Sequence, residues 1–194
     1  MKKQVYRSKV AQVFGWAWFV FAAYNAWDLI AHGSMPSALI AGAVLGVITV
    51  FVFLLALRPA IVVEEGGVRV RNPLRNAWIP WNAVGDVLVS NVIVIESGHT
   101  TVRCWTPHAT TRERVKAVGR AGKAASRADM SMAERAMAEA AGRTHADWVA
   151  QQLTEMSASR RDASTGEIRV TWSPSALAAV AAVVVLVVVT LVLT

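Results

Sequence analysis

A chain of 194 residues in which 55% of side chains are hydrophobic and only 17% are charged does not have the composition of a single soluble domain. Its formal net charge of +7 excludes a strongly acidic protein, and its one cysteine, Cys104, excludes a disulfide within the chain. The sequence has no P-loop, no dinucleotide-binding glycine fingerprint and no HExxH helix, so the common signatures of nucleotide-dependent and zinc-dependent enzymes are missing.

Residues 1–9 form a basic tail containing Lys2, Lys3, Arg7 and Lys9. Residues 10–31 are apolar except for Gln12, Tyr24, Asn25 and Asp28. Residues 37–57 carry no charge, and residues 174–194 are dominated by Ala, Val and Leu. Each segment has about 20 residues, enough at about 1.5 Å per residue to cross a hydrocarbon layer of roughly 30 Å. The pattern predicts three transmembrane helices. The first is too long and too rich in Trp for a signal peptide and runs straight into the second, so it reads as an uncleaved anchor. Four Lys or Arg residues precede the first span, none lies in the short loop after it, sixteen fall between Arg58 and Arg169, and none follows the last span. The positive-inside rule then predicts a cytoplasmic N-terminus, a cytoplasmic central region and an outward C-terminus in the plasma (inner) membrane.

Residues 60–106 read as β structure. Runs at 61–64, 68–71, 77–81, 87–89, 92–96 and 101–105 are separated by Gly66-Gly67, Asn72-Pro73, Ser90-Asn91 and Ser97-Gly98. Connections this short predict antiparallel hairpins in a small twisted sheet or partial barrel. Val68 and Val70 alternate with Arg69 and Arg71, which predicts one buried and one cationic face. Residues 111–158 turn to Ala, Arg, Glu and Met and predict two or three short helices, with a capping box at Ser131 and a helix start at Thr144. In the last of these, Val149, Leu153 and Met156 form an apolar stripe beside Trp148. Residues 159–172 read as a linker, with 167–172 open between linker and edge strand.

Two N-terminal spans, a hairpin closed by Glu64-Glu65-Gly66-Gly67, then Val-Arg-Val-Arg-Asn-Pro-Leu and Ile79-Pro80-Trp81 resemble the bacterial pleckstrin-homology (PH)-like membrane proteins of actinobacteria, in the group built around the low molecular weight antigen 6 PH domain. The likeness covers residues 61 to about 89. It implies an antiparallel sheet closed at one end by a C-terminal helix, with Trp148 as that helix's core aromatic. The helical segment at 111–158 and the third span depart from the pattern. Inositide-binding PH domains carry Lys and Arg in the first hairpin. Two glutamates stand there in this chain, which argues against inositide recognition.

Arg69, Arg71, Arg75 and Arg103 are expected as a cationic strip on the exposed sheet face, meeting anionic headgroups or an acidic partner, or simply as solvated strand positions. Trp78 is an expected partner-binding anchor, whereas Trp81 is expected in the core. Arg112, Arg114, Lys116, Arg120, Lys123 and Arg127 face only Glu113 in charge and are expected on the membrane surface; no recognition motif points to nucleic acid. Gly42 and Gly46 suit close helix packing, against the first span or a second copy of the chain. Asp28 and Asn25 sit near the outer end of the first span, without intramembrane partners for an ion relay. His99, Cys104 and His108 offer zinc-type ligands but lack a fourth partner and a familiar spacing. The sequence therefore predicts an α+β membrane protein with three transmembrane helices and a cytoplasmic PH-like sheet followed by helices. It is expected to be a non-enzymatic binding or scaffolding module without a cofactor, with lipid and protein as partners. An accessory subunit of a larger respiratory or transport complex is the alternative.

Overall fold

The structure is a computed structural model that describes residues 3–108 and 144–194, with Val115 and Gly119. The expected helices before Thr144, the box at Ser131 and the basic run from Arg112 to Arg127 lie outside the described residues. The chain begins with β1 (Gln4–Tyr6), then α1 (Lys9–His32) and α2 (Ser37–Val52), which runs on through a π-helical turn at Phe53–Leu57. Six strands follow: β2 (Ala60–Glu64), β3 (Gly67–Arg71), β4 (Arg75–Pro80), β5 (Val87–Val89), β6 (Val92–Ser97) and β7 (Thr100–His108). The chain closes with α3 (His145–Arg160), β8 (Arg169–Trp172) and α4 (Pro174–Leu193).

The strands form two antiparallel sheets, one ordered β1-β2-β3-β4-β8 and the other β5-β6-β7. Among the described residues they do not close into a barrel. Alternation places the core: Val68 and Val70 point in with Ile61, Ile79, Ile93 and Ile95, all at or near zero exposure. Helix α3 packs on the β5-β6-β7 sheet with Ala146, Val149 and Leu153, all fully buried, while Met156 packs at the margin. Its start is fixed by a full capping box. Thr144 Oγ1 accepts from the Asp147 amide and the Asp147 carboxylate accepts from the Thr144 amide at 2.8 Å. Trp148 is half-exposed and sits edge-on to Tyr6, with centroids 5.9 Å apart, so the aliphatic stripe rather than the tryptophan fills the core.

Trp81 is fully buried where β4 ends, at the start of a 3₁₀ turn (Trp81–Ala83). Its indole N–H donates to Glu65 O at 2.8 Å, and its amide donates to Ser164 Oγ at 2.9 Å. Ser164 also donates to Gly66 O, so residues expected to be a loose linker stitch the β2–β3 turn to β4. That stretch further holds the last turn of α3, a 3₁₀ turn (Arg161–Ala163) and β8, which lines the edge of β4 in the register Arg75↔Trp172 to Trp78↔Arg169. Gly67 lies against Ile79 O so closely that a Cβ has no room. The N-terminal tail also departs from expectation, because Gln4–Tyr6 pairs with β2. Tyr6 is buried, and its hydroxyl lies 2.6 Å from Gln152 Oε1 of α3.

Among the described residues, two helices are long and apolar enough to cross a membrane, at Ser37–Leu57 and Pro174–Leu193. The polar Gln12, Asn25 and Asp28 set the third expected span, α1, apart from them. α1 packs along α2, where Trp18 Nε1 donates to Thr49 Oγ1 at 3.1 Å. Ser8 caps α1 and Ser173 caps α4, where Pro174 supplies the preset first position.

Candidate functional site

The β3–β4 register decides which arginines share a face. Arg69 pairs with Trp78, Arg71 with Asn76 and Val70 with Ala77. Residues directly opposite on paired strands point the same way, so Arg69, Arg71, Asn76 and Trp78 share the outer face. Arg75 falls on the face of Ala77 and Val70. The expected single strip is therefore two separate patches.

On the outer face Arg69 is already engaged. It donates to both oxygens of Glu64, at 3.2 and 3.1 Å, and lies 5.1 Å over the half-buried Trp78 ring. Lys3 reaches the same carboxylate at 3.0 Å. The Arg69 hydrogen bonds, helped by Lys3 and opposed by partial burial, hold the Glu64 carboxyl below its ordinary range. A depressed carboxylate pKa stabilises the fold above the unfolded value, and that contribution is lost as the pH falls through the folded value.

Among the described residues, no carboxylate pairs with Arg71. Its neighbour is Arg58, the first residue after α2's π turn and only 8% exposed. Arg58 Nη2 donates to Asn76 Oδ1 at 2.6 Å, while its buried Nη1 has no partner among the described residues. Burial first, and Arg71's charge second, lowers the Arg58 pKa from its ordinary value; a guanidinium nevertheless stays charged. Arg7 comes from the β1–α1 junction; its Nη1 donates to Leu57 O at 3.4 Å and its buried Nε has no partner among the described residues. These groups line a cleft of about 650 Å³ with Trp16, Phe19, Phe53, Leu57 and the Ser173–Ser175 start of α4. Among the described residues, no carboxylate lines it.

The second patch is a groove of about 620 Å³ between the sheets, lined by Asn72, Arg75, Ala77, Thr101, Arg103 and Val170. Arg75 stacks 4.7 Å over the exposed Trp172 ring. Asn72 clamps the groove's floor: its Nδ2 donates to Arg103 O and its Oδ1 accepts from the Trp105 amide, both at 2.8 Å.

The remaining expected sites are distributed as follows. Gly46 abuts Leu186 of α4 rather than α1, and Gly42 faces open space; both line an apolar cleft of about 780 Å³ among α1, α2 and α4. Asp28 lies 3.0 Å from His32 Nδ1 and Asn25 donates to Phe21 O, so both polar groups are met within their own helix. Cys104 faces the core of β7 and burial pushes its thiol up to about 12, whereas His99 sits exposed in the β6–β7 turn. No three His, Cys, Asp or Glu side chains cluster as metal ligands among the described residues.

The sequence reading missed Arg7 and Arg58. Both stand at helix boundaries, where a basic residue is already expected on topological grounds. The signal that distinguishes them is adjacency: Arg7 immediately precedes a helix cap and Arg58 immediately follows a run of 21 residues long and apolar enough to span. Comparison of the chain with known protein families, curated proteins and solved structures found no match.

Proposed function

We propose that this chain is a three-span membrane protein that holds a small PH-like β-unit on the cytoplasmic face of the plasma membrane as a docking platform for a protein partner. Connectivity carries the reading. β1 precedes α1, yet it pairs with β2, which follows α2. Strands of one sheet lie on one side of a bilayer, so a crossing by α2 requires a crossing by α1. The polar side chains of α1 are compatible with this, since Asn25 and Asp28 are met by their own helix near its outer end. β8 leads through Ser173 directly into α4, so three helices root the same sheet. The distribution of Lys and Arg puts that sheet in the cytoplasm. The PH-like assignment rests on the motif at residues 66–81 and on antiparallel sheets, one of them covered by a C-terminal helix.

The docking surface in this reading is the groove carrying Arg75 and Arg103, flanked by the exposed Trp105 and Trp172. Arginine and tryptophan are the residue types that dominate binding energy at protein interfaces. A second reading, an accessory subunit held within the membrane, is favoured by the apolar cleft beside Gly42. The two separate in one experiment. The full-length protein is purified from its native membrane in mild detergent, and copurifying proteins are quantified. A near-stoichiometric partner that is lost on Arg75→Ala with Arg103→Ala, and kept on Gly42→Leu, is the expected result. Leucine at position 42 has space, so it fills the cleft without displacing this chain's own helices. Loss on Gly42→Leu alone would favour the subunit. A protein that purifies without a partner would overturn both.

A further inference from the structure

We propose that the cleft between the outer sheet face and the roots of the three helices binds the phosphate of an anionic phospholipid, with Arg58 and Arg71 as its principal ligands and Arg7 at its side. This inference rests on the membrane-spanning reading above, because it needs the helix roots to stand at the bilayer surface.

Four observations converge on the site. The first is an unused buried donor. Arg58 is more than nine-tenths buried, is oriented by Asn76, and leaves Nη1 without a partner among the described residues. Leaving a buried charged donor unmade is costly, and an anion supplies the missing acceptor. The second is charge. Arg58 lies close enough to Arg71 to feel its charge, Arg7 adds a third cation, and no carboxylate of the described residues pairs with any of them. Like charges gathered this way are stabilised by an anion held between them. Arg69 lines the same cleft but is turned aside to Glu64, so the acidic residue nearby neutralises a different arginine.

The third is the start of α4. Its first turn lines the cleft, and a helix N-terminus of 20 residues favours a negative group. Ser173 Oγ accepts from the Ala176 amide as the cap, and the exposed Ser175 hydroxyl lies 3.0 Å from it at the cleft. The fourth separates a lipid from a free phosphate. Trp16, Phe19, Phe53 and Leu57 form the other wall and belong to the helices at the bilayer boundary. An inorganic phosphate makes no use of that wall. A phospholipid sets its phosphate on the arginines and its glycerol and first methylenes on the aromatic side, which is the arrangement of basic pockets that hold lipid headgroups between membrane helices.

The test is native mass spectrometry of the full-length protein in mild detergent, with phosphatidylglycerol or phosphatidylcholine added at equal concentration and inorganic phosphate as competitor. Phosphatidylglycerol is expected to be retained at least about tenfold better than phosphatidylcholine, because both present a phosphate but the choline ammonium brings a positive charge up to a cleft already lined by guanidiniums. Millimolar phosphate is expected not to displace it. Arg58→Gln with Arg71→Gln should abolish the preference, and Arg75→Gln with Arg103→Gln should leave it intact. Because Arg58 is buried, its loss risks misfolding, so Ser175→Asp provides an independent probe. It adds an exposed negative charge at the cleft and is expected to lower phosphatidylglycerol retention about tenfold while Cys104 stays protected from alkylation. Equal retention of the two lipids, displacement by phosphate, or full retention in the folded Ser175→Asp protein would each overturn the proposal. A protein that stays in carbonate-washed membranes yet shows no lipid preference refutes only the headgroup site. One that washes off refutes the membrane-spanning reading itself.

Discussion

Trp81→Ala is expected to destabilise the β-unit by about 3–5 kcal/mol, the range for removing a fully buried large aromatic. The side chain is at 0% exposure, sits at the meeting point of the β2–β3 turn, β4 and the Ser164 stitch, and supplies the donor that satisfies Glu65 O. Truncation therefore leaves a large cavity and an orphaned carbonyl together. Cys104 is a built-in reporter, because its buried thiol reacts only after the core opens. The alkylation rate of Cys104 in Trp81→Ala should rise by about two to three orders of magnitude over the parent. Trp81→Phe, which keeps most of the ring volume and loses the N–H, should fall between the two. An alanine variant whose thiol remains as protected as the parent's would remove Trp81 from the core.

The second large effect concerns α3. Leu153→Ala should cost about 2–5 kcal/mol, because Leu153 is fully buried against the β-unit. Trp148→Ala should cost about 1 kcal/mol, since the ring is half-exposed and loses its edge contact with Tyr6 and its stacking on His145. The order matters more than either value. It makes the helix part of the β-unit's own core through its aliphatic stripe, with the tryptophan at the rim. Thermal unfolding in detergent, followed by near-ultraviolet circular dichroism, gives the comparison. A larger loss for Trp148→Ala than for Leu153→Ala would reverse the assignment.

Much of this architecture was legible in residue types. The Val-Arg alternation of β3 gave its inner and outer faces, the Thr144–Asp147 spacing gave the start of α3, and the three uncharged or nearly uncharged runs gave the helices. What escaped depends on contacts distant in sequence. Arg71 and Arg75 look like one strip because they are four residues apart, but the turn at Asn72 moves the chain to a new strand. The face of Arg75 is then set by the register Arg71↔Asn76, not by its distance along the chain. β1 is three residues long and carries no period; it exists because β2 offers an edge and because Tyr6 finds Gln152, 146 residues away. The residues read as a linker have turn composition, and only the Ser164 bridge and the edge of β4 give them structure. For Gly46 the chain offers the first span or a second copy as neighbour, yet the helix that closes on it is the last one.

The same logic bears on the candidate site. Arg58 and Arg7 are unremarkable as isolated basic residues near helix ends. Their meaning comes from the sheet register, which brings Asn76 and Arg71 beside them, and from a burial that leaves guanidinium donors unmade. If the helices cross as proposed, this cleft lies at their roots, while Arg75 and Arg103 line a separate groove. The proposed lipid contact and the proposed partner docking would then use different arginines and could be separated by mutation.

The most direct measurement is residue-by-residue topology. Cysteines are introduced one at a time at Lys3, Ser34, His99 and Thr194, four exposed positions, with the buried native Cys104 left in place. Sealed right-side-out vesicles are then treated with a membrane-impermeant maleimide. The account predicts labelling at positions 34 and 194 only, and the reverse pattern in inside-out vesicles. Labelling of position 3 together with position 34 from one side would mean that α1 does not cross. With position 99 unlabelled from that side, so that α2 alone crosses, the β1–β2 pairing and the three-rooted platform would both be wrong.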